Sequence, residues 1–217
     1  CIMNDVIFIQ SNDDISISAY DEWGIVLTDV ENTLPEPKTI TVDIKGADGL
    51  LDLSEAASGD IRYNNRTLKL TFGLMNVTNY EEQLTNIANI IHGRMVKVIL
   101  TADDNYYYSG RAIINKWECK KRKGTIVITI DAYPFKVNAR DITRTFNIAN
   151  DGTISFNVET RKIIVPELDV TGDLTINGVS LTAGKQKYPE ITLKNGTNSF
   201  SVSGAGQVKF IYRAEVL

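Results

Sequence analysis

The sequence predicts a mainly β protein of two domains: an N-terminal β-sandwich or barrel-like domain with one helix and an extended arm, then a C-terminal antiparallel β-sandwich. Three observations predict it. Apolar residues recur with period 2 along most of the chain, as in Leu68, Leu70, Phe72 and Ile126, Ile128, Ile130, the pattern of half-buried strands. One segment alone switches to helical spacing. The last third carries short alternating runs separated by Asp-Gly and Asn-Gly dipeptides, which tolerate the positive φ angles of tight hairpins.

Along the chain, Ile15, Ile17 and Ala19 alternate with Asp14, Ser16 and Ser18, giving a first strand. The stretch from Leu34 to Gly59 is different. Two prolines, three glycines and several acids flank one short strand, Thr39 to Ile44. So long a segment with little regular pattern is usually functional or partner-bound, and it is expected to be an arm ordered by a neighbouring subunit. Leu34, Pro35, Pro37, Asp48, Leu50, Leu51 and Leu53 are its candidate interface residues.

After the strand at 67–72, Leu84, Ile87, Ala88 and Ile91 form one stripe of an amphipathic helix over about 79–92. Thr78 or Asn79 can cap it, Glu81 and Glu82 suit the helix dipole, and Gly93 can stop it. Strands follow at Val96–Leu100 and Tyr106–Ile114, with Asp103-Asp104-Asn105 as the turn between them. The run Lys120-Lys121-Arg122-Lys123-Gly124 reads as a solvated hairpin tip that could also meet an acidic neighbour. The domain boundary is placed at about residue 140, giving domains 1–140 and 141–217. Beyond it come Ile154, Phe156 and Val158, then Leu174 and Ile176, Ile191 and Leu193, Phe200 and Val202, and Val208, Phe210 and Tyr212. Asp151-Gly152, Asn177-Gly178 and Asn195-Gly196 are the expected hairpin turns.

Composition narrows the function. A chain of 217 residues can bury roughly 70% of its unfolded surface and needs no disulfide or metal staple. Its net charge of −4 argues against a dedicated nucleic-acid binder. Cys1 and Cys119 are too few for a disulfide framework. No run of apolar residues is long enough to insert in a membrane. The opening Cys1-Ile2-Met3 lacks the basic-then-apolar pattern of a signal peptide, so synthesis in a cytoplasm is expected.

No catalytic constellation emerges, and no cofactor or metal is expected. His92 is the sole histidine and reads as a helix-end residue bonded to free carbonyls. Cys119, beside Trp117 on a strand, reads as an ordinary small residue. Asp43, Asp48 and Asp52 cluster in the arm, but their spacing matches no EF-hand loop. The sequons at Asn65, Asn76 and Asn195 are read as chance matches. Of the C-terminal aromatics, Phe200 and Phe210 are in phase with Val202 and Val208 and belong in a core. Tyr188, beside Pro189, is the one expected to be exposed and is a weak sugar-contact candidate.

Three stretches together carry a resemblance. They are PEPKTITVDIKGADGLLDLSE at 35–55; IIHGRMVKVIL, YYYSGRAIINKWE and GTIVITIDAYPF between Ile90 and Phe135; and LTINGVSLTAG through LKNGTNSFSVSGAGQVKFIYRAEVL at the C-terminus. In order and spacing the chain resembles the distal tail proteins of long-tailed bacteriophages, in the short form without inserted carbohydrate-binding modules. The resemblance implies a non-enzymatic subunit of a hexameric ring at the virion tail tip, with the arm reaching onto the adjacent subunit. It implies the tail tube protein on one face and the tail-tip hub, or tail-associated lysin, on the other. The tape measure protein and then DNA would pass through the lumen without specific binding. The C-terminal domain would be galectin-like and offer a place for receptor-binding proteins. A ring of acidic subunits would suit that passage, because basic walls attract phosphate strongly. The competing expectation is a carbohydrate-binding adhesin module for host-surface recognition, acting as a monomer through Tyr188.

Overall fold

Leu68, Leu70, Phe72, Ile126, Ile128 and Ile130 are all fully buried, on two adjacent antiparallel strands where Ile128 faces Leu70 and Ile126 faces Phe72. A computed structural model describes residues 5–10, 15–56, 59–76, 78–120 and 123–217. Cys1, Met3, Asp14, Val77, Lys121 and Arg122 therefore lie outside the described residues. The chain divides into two units, Cys1–Pro134 and Phe135–Leu217.

The first unit contains β1 (Val6–Gln10), β2 (Ser16–Ser18), β3 (Ile25–Asn32), β4 (Pro37–Lys38), β5 (Thr41–Asp43), β6 (Leu50–Asp52), β7 (Arg62–Tyr63), β8 (Arg66–Leu74), α1 (Tyr80–Ile91), β9 (Met95–Leu100), β10 (Tyr106–Lys120) and β11 (Lys123–Ala132). One 3-10 turn at Thr101–Asp103 joins β9 to β10. Seven strands form a sheet in the order β2-β1-β9-β10-β11-β8-β3, each pair antiparallel. Phe8 on β1 and Phe72 on β8 are four strands apart, which in a flat sheet means about 19 Å. Their ring centroids are 6.4 Å apart, so the sheet curls into a barrel-like shell around them. Trp23, 5.2 Å from Phe8, fills the seam, and Asn32 Nδ2 donates to the Tyr108 hydroxyl at 2.9 Å.

Helix α1 buries Ile87 and Ile91 in this core, while Leu84 and Ala88 of the expected stripe are only half-buried. Asn79 occupies the N-cap position but makes no side-chain capping bond; its carbonyl accepts from Gln83 N at 3.0 Å. The helix is held instead by packing and by Gln10 Nε2 donating to the Ile90 carbonyl at 2.9 Å. Gly93 ends it at φ +74°. Ile15, expected to point inward with Ile17 and Ala19, is exposed, because β2 begins one residue later at the sheet edge.

The second unit contains β12 (Lys136–Asn138), β13 (Ile142–Ile148), β14 (Gly152–Val158), β15 (Glu167–Ile176), β16 (Val179–Leu181), β17 (Gly184–Lys187), β18 (Gly196–Tyr212) and β19 (Glu215–Val216). The polar stretch after Phe135 belongs here because β12 pairs with β19. Phe200 and Phe210 both lie on β18, ten residues apart, about 33 Å in a straight strand. Their rings sit 5.4 Å apart, as do those of Phe146 and Phe156. One sheet therefore folds over on itself, and its two halves make the sandwich. The corner is built on Gly172, Gly204 and Gly206, where a Cβ would strike the carbonyl oxygen of Ala205, Asp173 or Thr171 respectively.

This corner corrects one expected hairpin. β13 and β14 do not pair with each other; both run along β18, with Ile148 facing Gly206 and Gly152 facing Val202. Asp151-Gly152 thus marks a fold in one long edge strand, and Asp151 Oδ1 accepts from Gly204 N at 3.0 Å. Asn177-Gly178 is the expected two-residue hairpin, with φ +48° and +81° between paired Ile176 and Val179. Asn195-Gly196 is not. Asn195 Oδ1 accepts from Thr160 N at 3.3 Å, and the turn into β18 is tied by Asn198 bonding Lys194 N and O. Ile191 and Leu193 are buried but form no strand, only a single bridge from Leu193 to Ile164.

Candidate assembly surface

The arm grows out of the barrel as a continuation of β3 and β8. Beyond the end of β3, Thr33 N donates to the Thr67 carbonyl at 3.1 Å and Asn64 N to the Glu36 carbonyl at 2.9 Å; then Pro37 faces Tyr63. Arg66, almost fully buried, pins this root. It donates to the carbonyls of Thr33 at 3.4 Å and Pro134 at 3.3 Å and lies 5.3 Å over the Tyr108 ring. Burial pushes its guanidinium below the usual arginine range, and Tyr108 opposes that shift. A cation lodged among carbonyls fixes the direction in which the arm leaves, a role that sequence reading did not assign to Arg66.

At the arm's far end β5 and β6 form an antiparallel hairpin. Directly opposed residues project to the same face. Val42 faces Leu51, and Leu53 N donates to the Ile40 carbonyl at 2.8 Å, so Ile40, Val42, Ile44, Leu51 and Leu53 share one face. All five are between 37 and 57% exposed. Thr41, Asp43, Leu50 and Asp52 occupy the other face. An isolated two-stranded hairpin is marginally stable in water, and this one leaves its apolar face exposed.

The structure sorts the expected interface residues. Leu51 and Leu53 belong to the apolar face. Leu50 is exposed on the polar face, Leu34, Pro37 and Asp48 are exposed elsewhere on the arm, and Pro35 is buried at the root and presents nothing. Ile40, Val42 and Ile44, which share that face, were not among the expected residues. Their alternation with Thr39, Thr41 and Asp43 is plain in the sequence, but alternation alone assigns such residues to a core.

A second apolar surface lies on the barrel between α1 and β10. A groove of about 480 Å³ is lined by Leu84, Ala88, His92, Ile114, Lys116 and Trp117 among others. A β-bulge between Ile114 and Lys116 creates it. Without the extra residue, Lys116 would face Ile126 and the core; with it, Trp117 does. His92 supports the bulge: its Nδ1 accepts from Ile114 N at 3.1 Å. The histidine is thus an acceptor for a strand amide, not a donor to the helix carbonyls as expected, because the bulge frees that N–H. Tyr80 packs on Trp117 with ring centroids 4.9 Å apart.

Beside the groove the β10–β11 hairpin ends in the pair Lys120–Lys123. Lys116 Nζ lies 2.8 Å from Glu118 Oε2, and Lys120 pairs with Glu118 Oε1. Hydrogen bonds from Lys116 and then Lys120 hold the Glu118 carboxyl down to about 2, from an ordinary 4.5. The carboxylate is the form favoured by folding, so its contribution is complete above pH 4.5 and fades as pH falls toward 2. Carboxyl ¹³C titration should give Glu118 a midpoint near 2, and Lys116→Met with Lys120→Met should return it toward 4.5. A midpoint that does not move in that double variant would show the lysines are not the cause.

Among the described residues no group of three or more His, Cys, Asp or Glu could hold a metal ion, and no helix is long and apolar enough to cross a membrane. Asp52 bonds Ser54 N at 2.8 Å rather than joining Asp43 and Asp48. Cys119 is a free thiol. Tyr188 is half-buried against the second core, contrary to its expected exposure. Its hydroxyl accepts from Thr182 N at 2.7 Å and so staples a loop.

These features define a class: a two-unit antiparallel β protein whose barrel carries an apolar-faced arm. No family model and no curated protein matches the sequence. Solved structures similar to this chain include phage proteins. The Dit protein (gp 19.1) of phage SPP1, described as a paradigm of the hub adsorption apparatus in phages infecting Gram-positive bacteria, superposes with a TM-score of 0.64 at 11% identity, over 96% of this chain and 98% of that one. A chain of the phage p2 baseplate in its activated conformation with Sr gives 0.51 at 8% identity over 99% of each chain. The same baseplate activated with Ca gives 0.51 at 7% over all of both chains. The chain therefore has the distal-tail or baseplate-hub fold along its whole length.

Proposed function

We propose that this chain is a structural subunit of a phage tail tip, which closes with copies of itself into a ring joining the tail tube to the tail-tip hub. The observation that carries this reading is the apolar face of the β5–β6 hairpin, on a chain whose fold matches a phage hub protein end to end. A head-to-tail joint needs two different surfaces on one molecule, and repeating it around an axis closes a ring. The arm supplies one such surface. Six copies make the expected ring, with the tape measure protein and then DNA passing through its lumen, and receptor-binding proteins docking outside. The subunit works by contact and needs no catalysis or cofactor.

Light scattering across a concentration series tests this. The expected mass is six times 24.1 kDa, approached as concentration rises. A mass of one subunit throughout would overturn self-assembly and favour a monomeric sugar-binding adhesin, whose next test is a glycan array.

A further inference from the structure

We infer that Arg66 is a positioning residue that couples the root of the arm to the exit of the barrel, so that order at one end is transmitted to the other. Its guanidinium holds two carbonyls at once. Nε donates to the Thr33 carbonyl, where the arm begins. Nη1 donates to the carbonyl of Pro134, the last residue of the first unit. These two points are far apart in sequence, and one side chain spans them.

Arginine is a costly choice for packing alone. Arg66 is almost fully buried, on the same face of β8 as buried Leu68 and opposite buried Ala132. No carboxylate pairs with it among the described residues. Taking such a cation out of water costs several kcal/mol, and an apolar side chain of similar volume would fill the space without that penalty. What an apolar side chain cannot do is fix two carbonyls at one separation. A planar fork of donors can, whereas lysine offers a single compact charge. Tyr108 adds a second route to the arm. Its ring lies 5.3 Å beneath the guanidinium, and its hydroxyl accepts from Asn32 Nδ2 at 2.9 Å, one residue before Thr33. Movement of the arm's root therefore reaches Arg66 directly at Thr33 and again through Tyr108.

Coupling between two sites is reciprocal. Whatever orders the arm lowers the cost of ordering Tyr133 and Pro134, and whatever fixes those two residues steadies the arm's root. This property belongs to the single chain; only its use within a ring rests on the self-assembly reading above.

Hydrogen exchange on the full-length chain tests the coupling. Thr33 N and Asn64 N report on the arm's root, and Tyr133 N, which donates to the Ser109 carbonyl, reports beside Pro134. Arg66→Lys should speed exchange at all three by about ten-fold or more, the loss of a charge-assisted hydrogen bond. Strands 68–72 and 126–130 should be unchanged. Arg66→Met, which fills the space and donates nothing, should give the same pattern. Loosening at one end only, or equal loosening of the barrel strands in both variants, would make Arg66 a plain brace and overturn the coupling. A double-mutant cycle then reads the transmission itself. Asn64→Pro removes an arm-root bond that Arg66 does not make. It should speed Tyr133 exchange about three-fold or more with Arg66 present and leave it unchanged with Arg66→Met. Equal effects in the two backgrounds would overturn the proposal. None of these outcomes depends on the mass of the assembly, so failure here leaves the ring reading to its own test.

Discussion

Leu51→Asp should leave the chain folded but monomeric. Leu51 is half-exposed at the centre of the hairpin's apolar face, opposite Val42, and it touches neither buried core, so the subunit's own stability should barely change. In the proposed ring the same position would be covered. A carboxylate there would be stripped of water without a cation to meet it, weakening each joint by about 3 kcal/mol or more, roughly a hundred-fold in affinity. A closed ring repeats that penalty at every joint. Light scattering should show one subunit where the parent chain shows the ring, with an unchanged circular dichroism spectrum. Leu50→Asp is the control. Leu50 adjoins Leu51 and is just as apolar, but it faces Asp43 on the opposite side of the hairpin, and its variant should still assemble. Rings formed by Leu51→Asp, or lost by Leu50→Asp, would contradict the assignment of the faces.

Gly204→Ala should destabilise the second unit and spare the first. Gly204 sits where β18 turns back on itself, at φ +98°. A side chain there adopts a backbone conformation that costs about 1–3 kcal/mol for any residue but glycine. Its Cβ would also strike the Asp173 carbonyl oxygen of the adjoining strand. The neighbour is backbone in a paired ladder and cannot move without breaking it. A total near 3 kcal/mol or above is a large part of the 5–15 kcal/mol that holds a domain. It should lower the unit's melting temperature by more than about 10 °C. The two tryptophans, Trp23 and Trp117, both lie in the first unit, whereas five of the seven phenylalanines lie in the second, so tryptophan emission should keep its midpoint while the phenylalanine circular dichroism signal loses its own. Equal loss in both signals would show that the corner is not a local device of the second unit.

How far the sequence could be read depended on whether a residue's role was set by near neighbours along the chain. The strand at 66–74 and the strand at 123–132 were legible because alternation every second residue is a local signal, and both lie with one face on the core. The helix at 80–91 was legible for the same reason, with a period that no strand shares. The Asn177-Gly178 turn followed from the positive φ of two adjacent residues. The same dipeptide logic failed at Asp151-Gly152, because what lies opposite it is a third strand distant in sequence. Chemistry alone does not say whether a turn joins two strands or bends one.

The candidate surface shows the same division. The sequence by itself determined that the chain is mainly β in two parts and that one segment near 34–59 stands apart from either core. Tertiary structure alone decided which way the arm's residues point. Leu50, Leu51 and Leu53 look equivalent as a run, yet register with Thr41–Asp43 puts Leu51 and Leu53 on one face and Leu50 on the other. It also decided that Pro35 is buried and that Arg66 anchors the arm's root. The bulge that brings Trp117 inward and the acceptor role of His92 exist only where a strand amide and a helix end come together across 22 positions. The physical reason is common to all of these. Periodicity and turn preference are properties of adjacent residues, whereas register, closure and burial are set by which distant strands pair, and a shift of one residue in that pairing turns every side chain to the other face.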